Sequence, residues 1–573
     1  MTGRHQKPAS NGNSNSSNDS SGNDKHHHHH HRRDRSNSHH HHESHRKPQS
    51  KSDLWKGSIN KDIGNSIIVQ MVGMESANHT VYARVDPDCA ASPESLASIS
   101  IGKVIEIMVD EGWRHVVKDI LEKHVHVETA DSYPKAGELL QLGAVWLVNE
   151  TAYAAGDSAH ARRLSPKDEN DTPDWKDMTL RVHYVPDRFF VAHEFDWTKY
   201  CKGLLLDNCT SAIINGRKAH VPMTGLPDEK DGVIVYEDYD IGFAVLNKPG
   251  GMPSHSTISN HAEDVISMFA AALKQRRIGT STEHPFLSLP LRVEPEMHGL
   301  IVAATKKEFC TFMTKQLEST SASESDGVTH PTTSSNAGEF KTYRCLVCIR
   351  DPNDIDRIEK MVNRTIEHYV DVRSPTPKTF VRNKPKASNH EWQHCLMKIT
   401  SVGSQASNFR AACVMSKYSD SNDFTLAHRL WGPNMEHPAE DLGVQYVMQI
   451  DVQLLTKCPH QIRGQLAALG IPIVGDAPYG GGTCEMRMHR HMWRRMAVQI
   501  CHLEFSLPKW DEETEHTGEK KRVLVNDDEK KCVFHLNTAW WSDYLLDYER
   551  YSPVTTLDTT NVQQVLDVNC MSL

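Results

Sequence analysis

The chain has 573 residues and a formal net charge of −10, long enough for two or three domains around one sizeable core and too acidic for a global pull toward nucleic acid. Any RNA site must therefore be a local basic patch. Thirteen cysteines at irregular spacing read as free thiols in a reducing compartment rather than a disulfide framework. No apolar run approaches the roughly 18 residues of a membrane span and no secretory leader is visible, so a soluble, membrane-free protein is expected, cytoplasmic by default, with the nucleus left open by its basic tail.

Residues 1–55 are rich in His, Ser and Asn and hold almost nothing that can be buried, which predicts disorder. Their histidine runs, with Arg32, Arg33 and Arg35, suit either incidental metal affinity or contact with an anionic polymer. Residues 56–100 carry no assignment. In 101–195 an apolar spacing of three and four predicts an amphipathic helix around Trp113–His124. "AGELLQLGAVWLVNE" then predicts a helical turn, a stop at Gly143 and a β-run through Val145–Val148, and "MTLRVHYVP" a strand with Leu180, Val182 and Tyr184 on one face.

A larger unit spans 204–545, with a tail at 546–573. "DIGFAVLNKPGGMPSHST" predicts a buried strand at Phe243–Leu246 ending in a turn over Asn247–Gly251. In "LRVEPEMHGLIVAATKKEF" an apolar stretch is expected to run from a strand into a loop and on to a helix, although two carboxylates and an arginine interrupt it. "KTYRCLV" is an alternating strand with Tyr343, Cys345 and Val347 on one face. "VQLLTKCPHQIRGQLAALGIPIVGDAPYGGG" gives a strand, a helix from about Pro459 and a glycine-rich turn. Strand signals outnumber helical ones without βαβ alternation, so the expected class is α+β: a largely antiparallel mixed sheet with a central cleft, plus a small α/β unit.

These four segments, in this order, resemble the motifs of the RluA-type pseudouridine synthase family, over roughly residues 235–510. "NKPGGMPSH" is similar to its "NKPxGxxxH", "KTYRCLV" to its "KxYxxxV", and "HQIRGQLAALGIPIVGD" to its "HQIRxHLxxxGxPIxGD", the most specific of the set. The unit at 101–195 resembles the alpha-L RNA-binding module that often precedes such domains. "LRVEPEMHGL" aligns with the family's "HRLDxxTSGL" but departs from it: Glu294 stands for the catalytic aspartate, Leu291 for histidine, Val293 for leucine, and Met297 and His298 for the Thr-Ser pair. Lys457, Cys458 and Pro459 also differ from the family pattern.

The resemblance implies isomerisation of uridine to pseudouridine in structured RNA, rRNA or tRNA, with no DNA, cofactor or metal involved. Breaking the base-to-ribose bond calls for a carboxylate at the anomeric carbon, as nucleophile or counter-charge. The resemblance assigns that place to Glu294, with Glu296 as the alternative. It gives Arg463 the role of keeping the acid ionised, Tyr343 that of stacking on the base and accepting a proton from the sugar, and Arg292 that of filling the space a flipped base leaves. Lys248 and Gln461 are further expected RNA contacts. In "MRMHRHMWRRM", Arg487, Arg490, Arg494 and Arg495 with Trp493 suit phosphate tracking and base stacking, the alternative being a solvated basic helix face.

Other segments invite competing readings. "AHRLWG" at 428–432 repeats the family's His-Arg-Leu by coincidence, in an expected loop. Cys345 and Cys348 have zinc spacing but face opposite ways on a strand. "ESTSASESDGVTHPTTSSN" and Asp511–Arg522 read as surface insertions. Two functional classes stay open: a synthase working with glutamate, or a non-catalytic RNA-binding relative. Because glutamate is one methylene longer than aspartate, Glu294→Asp is expected to raise turnover if reach alone is at fault.

Overall fold

The computed structural model describes residues 69–75, 80–85, 99–108, 135–157, 159–198, 213–214, 217–218, 233–276, 286–322, 341–385, 392–403, 411–414, 426–432, 442–488, 491–514, 520–536 and 539–545. The histidine-rich tail, the helix expected around Trp113–His124 and the tail after 545 lie outside the described residues.

A first, wholly antiparallel sheet comprises β1 (Val69–Glu75), β2 (Thr80–Val85), β3 (Val145–Asn149), β4 (Ala161–Arg163) and β5 (Met178–His183), in the order β1-β2-β5-β3-β4. Its first two strands come from the region that the sequence left unassigned. Helix α1 (Ile101–Glu106) starts at Ser100, whose hydroxyl accepts from the Lys103 amide, and the spacing of Ile101, Val104 and Ile105 makes one buried stripe. Helix α2 (Ala136–Leu142) buries Leu139, Leu140 and Leu142 and stops at Gly143, left-handed at φ 68. Leu180 and Val182 point into the same core as Val81, Val145 and Leu139, and Tyr184 joins them just past the strand end.

The second sheet has eleven strands among the described residues. They are β6 (Ile234–Asp238), β7 (Phe243–Lys248), β8 (His298–Ala304), β9 (Lys341–Ile349), β10 (Thr365–Asp371), β11 (Phe380–Val381), β12 (Trp392–Val402), β13 (Ala412–Cys413), β14 (Tyr446–Leu454), and, after a separate hairpin of β15 (Cys484–Met488) and β16 (His491–Arg495), β17 (Val498–Thr514) and β18 (Lys520–His535). The order runs β11-β10-β12-β14-β9-β17-β8-β7-β6, with β13 on β14 and β18 on β17. Only β8 and β17 pair in parallel. With helices α3 (Val265–Arg276), α4 (Lys307–Ala322), α5 (Asn353–Met361), α6 (Leu426–Trp431) and α7 (Gln461–Ala468), the molecule is α+β. Phe309, Phe312 and Met313 on one face of α4 enter the core, where Phe243 stacks on Phe309 at 4.8 Å.

Several local expectations change. Strand β7 runs on through Asn247 and Lys248 before the turn. The order at 291–300 is reversed: Pro295 cannot donate to a ladder and the Met297 amide closes a turn on the Glu294 carbonyl at 3.1 Å, so the loop comes first and strand pairing begins at His298. "AHRLW" is the end of α6, with Leu430 and Trp431 buried, rather than a loop. The stretch at 486–496 is a β-hairpin, not a helix, in keeping with the period-two alternation of Met486, Arg487 and Met488. Asp511–Arg522 belongs largely to the long β17–β18 ladder.

The first sheet is fastened to the second through residues 257–263. Trp146 donates to the Ile258 carbonyl at 3.0 Å and the His261 amide to the Leu142 carbonyl at 2.8 Å. Glu263, nearly fully buried, accepts from Arg188 Nη2 at 3.0 Å, the Phe189 amide at 2.7 Å and Asn260 at 2.8 Å. Burial pushes this acid up, but these donors together hold it below the ordinary carboxylate value.

Candidate active site

Register brings the expected site residues toward one stretch of the second sheet. Gly299 of β8 lies opposite Ile500 of β17, and Ile500 opposite Tyr343 of β9. Two strand spacings, about 10 Å, therefore separate Tyr343 from the strand that the Glu294 loop enters. Gly299 has φ 108, and a β-carbon there would stand 2.6 Å from the Ile500 amide nitrogen, so the close parallel approach of β8 to β17 requires glycine. Beyond α7, Val474 donates to the Leu346 carbonyl of β9 at 2.9 Å, which delivers the following Asp476 beneath the helix.

Arg463 links these pieces. Its Nε and Nη2 donate to Asp476 at 2.8 and 2.7 Å, a two-pronged pair buried on both sides, and its Nη1 donates to Glu294 Oε2. The side chain of Asp476 is 0% exposed and that of Glu294 25%, so the guanidinium is anchored from behind and presents its remaining edge to the more open acid. Burial opposes the charge on Arg463, but the Asp476 hydrogen bond and the Glu294 charge raise its pKa above the ordinary arginine value. Burial likewise raises Asp476, with Arg463 opposing. Asp476 closes the "PIVGD" segment, to which the sequence assigns no role. An acid between apolar residues and a tight turn was the signal, since a buried carboxylate requires a counter-charge.

The loop that carries Glu294 is held by its backbone. Lys248 is fully buried, and its Nζ donates to the carbonyls of Pro249, Pro295 and Met297 at 3.0, 2.8 and 2.8 Å. The Gly251 amide adds a bond to Pro295 at 2.8 Å, and the Ser254 hydroxyl donates to Val293 at 2.8 Å. Burial pushes the Lys248 ammonium down to about 7, with Glu296 and Glu294 pulling it back up. Gly250 donates to His298 Nδ1 at 3.1 Å, and any side chain on Gly250 would strike that imidazole ring.

Tyr343 is raised above the ordinary phenol value, first by burial and then by the charges of Cys345 and Glu294. The phenol is thus held neutral, suited to stacking. Tyr479, unremarked in the sequence, lies across Arg463 at 5.1 Å and accepts from the Lys378 amide at 2.9 Å; burial pushes it up to about 12.

Three residues expected to contact RNA have protein partners instead. Lys248 clamps the loop. Gln461 is buried and donates to Leu396, Thr456 and Gln465, fixing the start of α7. Arg495 is 4% exposed with its guanidinium 3.8 Å from the Trp540 ring, a packing position enforced by the inward face of the hairpin. Arg292 and Arg494 are exposed. Arg487 and Trp493 lie on the hairpin strands, and Arg490 falls outside the described residues. Among the described residues no cluster of His, Cys, Asp or Glu could hold a metal ion, and no helix is long and apolar enough to cross a membrane.

No protein-family model matches the chain. A curated protein, "RNA pseudouridine synthase 6, chloroplastic" of Arabidopsis thaliana, is 20% identical over 332 residues, covering 55% of this chain and 56% of that one. The chain thus aligns with little more than half the length of the curated relative. Among solved structures, "Human RNA Pseudouridylate Synthase Domain Containing 4" overlaps with a TM-score of 0.29 at 13% identity, covering 56% of this chain and 93% of that one. "Human RNA Pseudouridylate Synthase Domain Containing 1" overlaps at 0.26 and 16%, covering 56% and 95%.

Proposed function

We propose that the chain isomerises uridine to pseudouridine in structured RNA, rRNA or tRNA, with Glu294 in place of the expected aspartate. The observation that carries this reading is the contact of Arg463 Nη1 with Glu294 Oε2. A guanidinium fixed by a buried acid keeps a second, more exposed carboxylate charged and aimed, as attack on an anomeric carbon or stabilisation of positive charge there requires.

In the proposed sequence Tyr343 stacks on the target base while Glu294 attacks or shields the anomeric carbon as the glycosidic bond breaks. Covalent attack removes the carboxylate charge, and with it one of the influences that hold the phenol protonated. The phenol then releases its proton to solvent more readily, and the phenolate so formed can accept the proton taken from the sugar. Exposed Arg292 is suited to occupy the vacated stack. Arg487, Trp493 and Arg494 of the hairpin, together with Arg490 and the first sheet as an alpha-L-like unit, are assigned to binding the RNA backbone.

The changed residues around Glu294 favour a second reading, an RNA-binding relative without turnover. Chemical mapping of pseudouridine in RNA treated with the wild-type chain and with Glu294→Gln separates the two. The first reading expects product in wild type and none in the variant, since an amide supplies neither charge nor attack. RNA binding without product in either would leave the second.

A further inference from the structure

The turn into α7 contains a cysteine that the proposed chemistry does not use. Cys458 stands just ahead of His460, in the segment that departs from the family pattern, and packs against the cluster that holds Cys395 of β12; Gln393, two residues before Cys395, donates to the Lys457 carbonyl at 2.9 Å. That small cluster also contains Val370 and Phe380 and is separate from the main core. Phe380 in turn lies against the bare Gly464 of α7. Cys395 is buried and Cys458 partly exposed, and both are free thiols.

Other buried thiols are poor nucleophiles. Burial raises Cys345, Cys348 and Cys532 and pushes Cys501 up to about 12. Cys458 is shifted downward, first by the hydrogen bond with Cys395 and also by the Lys378 ammonium. That ammonium is held in place by the carbonyls of Val372 and Ser374 at 2.7 and 2.8 Å. A partly exposed thiol stabilised as its anion, packed in one cluster with a second, buried thiol, is the arrangement of an attacking and a resolving cysteine.

We propose that Cys458 and Cys395 form a peroxide-sensitive pair that closes to a disulfide at the entrance to α7. The Cys458 thiolate attacks one oxygen of hydrogen peroxide: an S–O bond forms, the O–O bond breaks, and hydroxide leaves to be protonated to water. Cys395 then gives up its proton and attacks the oxidised sulfur. The S–S bond forms, the S–O bond breaks, and the departing hydroxide takes the Cys395 proton as a second water. The pair loses two electrons and peroxide gains them.

The bridge would join a junction that is already hydrogen-bonded. Leu396, next to Cys395, accepts from the Leu455 amide and from Gln461, both at 2.9 Å. Oxidation would therefore tie the segment leading to Arg463 covalently to β12. Its consequence for turnover rests on the synthase reading, whereas the thiol chemistry does not.

The full chain is exposed to hydrogen peroxide, blocked with N-ethylmaleimide and digested without reductant. The expected product is a peptide pair joining residues 395 and 458, lighter by two hydrogens than its parts and split by dithiothreitol. Cys395→Ala should stop at a sulfenic acid on Cys458 that dimedone captures, and Cys458→Ser should yield neither species. Before oxidation, iodoacetamide should modify Cys458 at least about tenfold faster than Cys501. Recovery of both residues as maleimide-blocked thiols after peroxide, or bridging of either to a different cysteine, overturns the proposal. The peptide readout needs no RNA, so its failure is distinct from absence of isomerase activity.

Discussion

Arg463 grips Asp476 with two nitrogens and offers the third to Glu294, a residue 169 positions earlier in the chain. The loop that carries Glu294 is held by hydrogen bonds to the carbonyls of Val293, Pro295 and Met297, which oppose any shift of its backbone to meet a shorter acid. The expectation from the sequence is that aspartate raises turnover if reach alone is at fault; the Arg463 contact supports the opposite prediction. Glu294→Asp should withdraw the carboxylate by about 1 Å or more and lower pseudouridine formation by up to about a hundredfold. Product mapping checks this; an increase in the aspartate variant would mean that the glutamate is too long after all.

Lys248 should give stability an unusual pH dependence. The unfolded chain keeps this proton until about 10.4, whereas the folded lysine releases it near 7. Between those values the unfolded state binds more protons, so stability should rise with pH, by up to about 1.4 kcal/mol per unit from this group. Urea titrations of wild type and Lys248→Met across that interval should differ in slope by this amount. The variant should also be weaker throughout, by roughly 1–3 kcal/mol for each carbonyl left unsatisfied. Parallel slopes would show that the buried ammonium keeps its charge.

Glu263 behaves in the opposite sense. With its folded pKa below the ordinary carboxylate value, its contribution is present above about 4.3 and is lost as pH falls through the lower, folded value. Glu263→Gln should lower stability at neutral pH by about 2 kcal/mol, and the gap from wild type should narrow under acid. Thermal melts at several pH values measure it, and a constant gap would point to packing rather than charge.

RNA binding should distinguish two adjacent arginines. Arg494→Ala removes an exposed cation and should weaken binding and reduce the salt slope by about one. Arg495→Ala removes a buried side chain from Trp540 and should instead lower the melting temperature. Filter binding across a salt series, with melts alongside, reads both. Equal effects of the two substitutions on the salt slope would return Arg495 to the RNA surface.

Local periodicity made much of this architecture legible. The stop at Gly143 after Leu142, the strand from Phe243 and the helix around Arg463 each follow from a pattern within a few residues. What stayed hidden depends on distant partners or on small choices of period. Lys248 was expected to contact RNA, because two of its three carbonyl acceptors lie nearly fifty residues away. Asp476 gave no sign of its guanidinium partner. The basic run at 486–496 suited helix or strand, and antiparallel pairing decided for strand. The two acids of "LRVEPEMHGL" were seen, but that the loop precedes its strand was not, since the turn is set by Pro295 and a single Met297 bond.

The grip of Lys248, Gly251 and Ser254 on the Glu294 loop falls on main-chain atoms, which every residue type provides. Such scaffolding is indifferent to spelling. Leu291, Val293 and Met297 can differ from the related motif without losing these main-chain bonds, whereas His298 also takes the Gly250 amide through its ring. A loop tethered in this way is a natural place for substitutions to accumulate one at a time, each tested against the reactive end alone and not against the course of the backbone that carries it.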